Sequence, residues 1–151
     1  MKRLFSLTIL LVLGTTAFSQ KANQELDYYQ ALFGMSKEAM ITDFIGLDKS
    51  AEFWTVYDEY EKERQKYGQK RYELLLEFAG NYVNYSDKRM DILMEESLAN
   101  RKTMAKITKK YYKKIRKVSD SKTAAQFLMI ENYFEASIRA TILGELKELK
   151  K

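Results

Sequence analysis

Ala51-Glu52-Phe53-Trp54-Thr55-Val56-Tyr57-Asp58-Glu59-Tyr60 opens the run that decides the fold. From Phe53 onward, Tyr57, Tyr60, Arg64, Tyr67, Arg71, Leu74 and Phe78 recur at alternating steps of four and three. Such spacing lines up one face of an amphipathic helix with coiled-coil-like packing. It predicts a long helix that Asp48 or Ser50 can cap. Gly68 and Gly80 fall inside it or near its end, each costing up to about 1 kcal/mol against Ala in a helix interior, and a bend is expected near Gly68.

Working outward, residues 81–87 break the pattern, with Asn84-Tyr85-Ser86-Asp87 read as a loop ending in an N-cap. A further helix follows, striped by Met90, Met94, Ser97, Arg101, Met104, Thr108, Tyr111, Ile115 and Val118. Acids gather at its start and bases at its end, the polarity that a helix macrodipole favours. Ser119-Asp120-Ser121 is the next break, and a last helix is expected from about Lys122 to Leu149, carried by Phe127, Glu131, Phe134, Ile138, Ile142 and Leu146. Upstream, Ser36 can cap a short helix, Lys37 to Ile45, that Gly46 ends. The chain has no Pro, few Gly and no Cys. Turn-rich β architectures are therefore disfavoured, and stability must come from packing without disulfides. The expected fold is all-α: a single domain of about four helices, one short and three long, in an extended antiparallel hairpin or bundle.

The N-terminus carries a different message. Met1-Lys2-Arg3 is basic, Leu4 to Gly14 is apolar, and Ala17-Phe18-Ser19 is a small-x-small site. This is the anatomy of a secretory signal peptide, 1–19, cleaved after Ser19. Its apolar run is short of the roughly 20 residues that a spanning helix needs. No Cys follows it, so a lipoprotein is not expected. The remaining chain is expected to be periplasmic, without a transmembrane span, and close to +3 in charge once Lys2 and Arg3 are lost from the +5 total. Residues 20–35, polar with Tyr28-Tyr29, read as a flexible N-terminal arm or a short helix. Residues 36–151 form the helical domain.

The opening stretch has an echo, Ala125-Gln126-Phe127-Leu128-Met129-Ile130-Glu131-Asn132-Tyr133-Phe134. Each copy follows a short Asp- and Ser-bearing loop with an apolar residue before it, Leu47 or Val118. Leu47, Phe53, Trp54 and Tyr57 in the first copy, with Ala125, Phe127 and Glu131 in the second, resemble the paired LTxxQ signatures of Spy/CpxP-like periplasmic proteins. Leu47-Asp48 stands where that family reads Leu-Thr, and Val118-Ser119 is the nearest match in the second copy. The resemblance implies a thin helical hairpin fold, a cradle-shaped homodimer in many members, and non-enzymatic work. That work is ATP-independent chaperoning of unfolded or misassembled envelope proteins. The alternative is a regulatory subunit docking on the periplasmic domain of a sensor kinase or anti-sigma factor.

Composition points the same way. Without His or Cys, the commonest general base, thiol nucleophiles and the usual transition-metal ligands are missing. No enzyme, metal or cofactor is expected. Asp58, Glu59, Glu61 and Glu63 read as a solvated acidic face, and Met90, Met94 and Met104 as core filler. The basic tract 106–117, interrupted by Tyr111 and Tyr112, is the surface candidate: Lys109, Tyr111, Tyr112, Lys113 and Arg116 are the expected client- or partner-binding residues. The same cations serve equally as dipole-favoured charges on a solvated helix end, or as an anionic-membrane contact. Export argues against nucleic acid. Trp54, Tyr57 and Phe127 read as rings that pin the two echoed helices together, the alternative being exposed rings at an interface.

Overall fold

The computed structural model describes residues 24–48 and 51–146. The expected signal peptide and the end of the last helix lie outside the described residues. Five α-helices follow in chain order: α1 (Gln24–Phe33), α2 (Lys37–Ile45), α3 (Glu52–Asn81), α4 (Asp87–Val118) and α5 (Ser121–Gly144). A 3-10 turn, Tyr82–Asn84, joins α3 to α4, and no strand occurs among the described residues. The all-α expectation therefore holds.

The caps explain where the helices start. Ser36 Oγ accepts from the Ala39 amide, Ser86 Oγ from the Arg89 amide, and Asp120 from the Thr123 amide at 2.7 Å. Each satisfies one of the amides that a helix N-terminus leaves without a partner. Gly46 ends α2 in the left-handed region at φ +72°, its amide donating to Thr42 O at 2.9 Å. There glycine is required rather than tolerated. At the start of α3 the N-cap is Ala51, which gives no side-chain bond. The Asp48 carbonyl accepts the Trp54 indole N–H at 3.1 Å, and Ser50, the other expected cap, lies outside the described residues.

The long α3–α4 hairpin is the frame, and α5 runs back along it antiparallel to α4. Phe53, Tyr57, Tyr60 and Leu74 of the α3 stripe are buried, as are Met104, Ile107, Tyr111 and Ile115 of α4. Phe127, Phe134, Ile138 and Ile142 of α5 meet them. Phe127 packs edge-on against Tyr60 at 5.0 Å and Tyr57 at 6.3 Å, so the two echoed segments touch through these rings. Trp54 and Leu47 are half-buried at the margin, Trp54 edge-on to Phe53 at 5.0 Å. The echo does not extend to its alanine. Ala125 faces solvent and Ala124 fills the core, because three residues before Phe127 keeps one helical face and two residues before it does not.

The largest difference lies upstream. The stretch read as a flexible arm or a short helix is helical over Gln24–Phe33 and, unlike an arm, it is packed: Glu25 and Tyr29 are buried against the frame. Tyr29 meets Phe134 edge-on at 5.3 Å. α3 runs unbroken through Gly68, from Glu52 to Asn81. A Cβ at Gly68 would collide with the Glu25 carboxylate and the Arg64 guanidinium. Glycine is there to let α1 approach α3.

Candidate functional site

Three features of this framework carry charge or exposed apolar surface. The first is buried. Lys37, in the first turn of α2, points its ammonium between α3 and α5. It donates to Glu61 at 2.7 Å and to Glu131 at 2.9 Å. Four rings surround it, those of Tyr29, Tyr57, Tyr60 and Phe134, with centroids 5.3–5.8 Å away. Ring faces are electron-rich and attract a cation that has lost its water. Arg64, 1% exposed, extends the cluster by donating to Glu61 at 2.9 Å and to Glu25 at 2.8 Å. Arg71 then bridges Glu25 and Glu135. Glu25's own amide is held by Gln69 Oε1 at 3.1 Å.

Burial alone would raise the Glu61 carboxyl, but the charges and hydrogen bonds of Lys37 and Arg64 outweigh it and lower its pKa to about 2. Burial and then neighbouring carboxylates push Tyr57 and Tyr60 well above the usual phenol range. Both therefore remain donors, Tyr57 to Glu61 at 2.9 Å and Tyr60 to Glu131 at 2.7 Å. Every carboxylate of this cluster is engaged, so its chemistry is that of a clasp holding α1 and α2 to the frame.

The second feature is the basic tract. Lys109, Lys113 and Arg116 are exposed and Tyr112 is half-buried. Tyr111 departs from expectation. It is buried, edge-on to Tyr60 at 5.5 Å, and its hydroxyl donates to Glu63 at 2.8 Å. Ile115, four residues on and on the same stripe, is fully buried too. With steps of three and four these residues share the inward face, whereas Lys109, Lys113 and Arg116 turn outward. The acids of α3 are likewise not a plain solvated face: Glu63 pairs with Lys110, Glu59 with Lys114, and Glu61 belongs to the clasp. Of the four, Asp58 and Glu59 keep the expected exposed positions, Glu59 while paired with Lys114.

The third feature is an exposed apolar surface that joins segments far apart in the sequence. Met35, Met40 and Phe44 beside α2 face Met129, Ile130 and Tyr133 of α5 across an open apolar groove of about 590 Å³. Phe44 is 49% exposed, and Met129 and Tyr133 are each 54% exposed. Asp43 is the one charged residue lining it. The two helices are tied at one end by the Gln126 side chain, which donates to Phe44 O at 3.2 Å. Its sequence signal was Met129 and Tyr133 lying off the α5 core stripe, but their partners come from a helix some 90 positions earlier.

No family model matches the chain, and no curated protein or solved structure matches it either. The Spy/CpxP-like resemblance thus stands on its residues alone.

Proposed function

We propose that this chain is a non-enzymatic, periplasmic interaction protein of Spy-like character that binds unfolded or misassembled envelope proteins without ATP. The observation that carries the proposal is the methionine-lined groove between α2 and α5. A well-packed core has no need to leave Met35, Phe44, Met129 and Tyr133 in water. Contiguous apolar surface on a folded chain marks an interaction site. Methionine side chains are flexible and polarizable, which suits a surface that must fit many sequences. Asp43 at the groove and the outward cations Lys109, Lys113 and Arg116 supply long-range attraction at its margins and elsewhere on the surface.

This reading moves the main contact from the basic tract to the groove. The test is aggregation of a reduced or urea-diluted client, followed by light scattering without nucleotide. Stoichiometric protein is expected to suppress it. Phe44→Asp with Met129→Asp is expected to lose most of that effect, while Lys113→Glu with Arg116→Glu loses little. Folded protein that does not suppress aggregation at several-fold excess refutes the proposal. Capture of one stoichiometric membrane partner would instead favour a regulatory subunit.

A further inference from the structure

A second groove lies on the other side of α5, between it and α4. It has two connected parts that share Arg101, Met104 and Glu135. The part toward the hairpin tip, about 260 Å³, is walled mainly by Leu74, Leu75, Phe78, Met94, Leu98 and Leu143. The other part, about 340 Å³, is also mainly apolar but carries more polar groups, among them Thr108, Lys109 and Asn132. From Met94 to Tyr112 the groove follows about 27 Å of helix at 1.5 Å per residue.

Charge in this groove is unbalanced. Arg71, Arg101, Arg139 and Lys109 line it, against Glu131 and Glu135. Both carboxylates are already engaged, Glu131 by Lys37 and Tyr60 and Glu135 by Arg71. Among the described residues, no carboxylate pairs with Arg101, Arg139 or Lys109. Along the opposite seam of α4 the pattern is reversed, since Lys70, Lys110 and Lys114 each find an acid between α3 and α4. Arg101 is exposed at the rim of the groove, next to the buried stripe of α4 that Asn100 and Met104 belong to.

We propose that this groove binds a single-chain fatty carboxylate, with the acyl chain against Leu74, Phe78, Met94 and Leu98 and the headgroup at Arg101 and Arg139. Guanidinium groups suit the task because their planar donors can take both oxygens of a carboxylate. The tip part alone, about 260 Å³, is slightly smaller than usual small-molecule sites, and with the adjoining part of about 340 Å³ the groove falls in their range. Such sites are mostly apolar with a few placed polar groups. The site is separate from the methionine groove and does not depend on chaperoning.

The experiment is calorimetric titration of the full chain with oleate below its micelle concentration, beside oleyl alcohol, sodium acetate and anionic phospholipid vesicles. Saturable one-to-one oleate binding is expected, at least tenfold tighter than the alcohol, with no measurable acetate binding. Arg101→Glu with Arg139→Glu should weaken oleate at least tenfold, as should Leu98→Asp. Lys122→Glu, outside the groove, should leave it unchanged. Arg101→Ala, which removes an exposed side chain without a partner, gives the same readout should the double variant fail to fold. Equal affinity for oleate and oleyl alcohol, unchanged oleate binding by the arginine variants, or binding to vesicles without binding to monomeric oleate overturns the assignment.

Discussion

Around Lys37, helices from both ends of the chain converge, and buried charges are paired between aromatic rings. Beyond Leu74, α3 and α4 continue to the hairpin tip, and Leu76, Val83, Ile92 and Leu98 face solvent. The first region is specified by polar geometry and tolerates little; the second is amphipathic helix with few obligatory contacts. Buried ion pairs are not an efficient source of stability, since desolvation offsets most of their attraction. Their value here is specificity. One lysine can lie only where two carboxylates and four rings receive it, which fixes how α2 packs on α3 and α5.

That contrast can be broken at its strongest point first. Arg64→Met leaves Glu25 and Glu61 short of a buried partner and is expected to cost about 3–5 kcal/mol in urea unfolding. A loss below about 1 kcal/mol would show that the clasp is dispensable. Acid probes the same region. The Glu61 pKa is depressed to about 2 in the folded chain. Its contribution, about 2–3 kcal/mol, is therefore complete above the usual carboxylate range and is lost as pH falls from about 5 toward 2. Denaturant midpoints measured over that interval should fall, and a flat profile would contradict the pairing.

The two glycines of α3 sharpen the comparison further. Gly68→Ala gains helix propensity but drives a methyl into Glu25 and Arg64, for a net loss of about 1–3 kcal/mol. Gly80→Ala meets nothing within 4 Å and should stabilise by up to about 1 kcal/mol. Thermal midpoints moving in the same direction for both would remove the distinction. The smallest effect belongs to the tip, where Leu98→Lys, at a position 66% exposed, should change stability by no more than about 0.5 kcal/mol.

The helices were legible because their signals are local. The Phe53-to-Phe78 stripe, the Ser36, Ser86 and Asp120 caps, and Gly46 each declare themselves within a turn or two of chain. The clasp was half visible: Arg64 and Arg71 occupied inward positions on α3, and Glu131 did on α5. What completes it comes from Glu25 and Lys37, separated from those residues by tens to about a hundred positions, so periodicity could not join them. The same distance hid the methionine groove. Tyr111 misled for another reason. A tyrosine among lysines reads as a surface ring, yet its step from Met104 and Ile107 places it inward, with Glu63 to receive its hydroxyl.

The central claim is that binding takes place in the methionine groove and not along the basic tract. Site-specific photo-crosslinking tests it most directly, with a crosslinking residue placed in turn at Phe44, Met129, Lys113 and Arg116 and an unfolded client added. Crosslinks from positions 44 and 129, with few from 113 and 116, are the expected result. Crosslinks confined to 113 and 116, or none at all from folded protein, would contradict it.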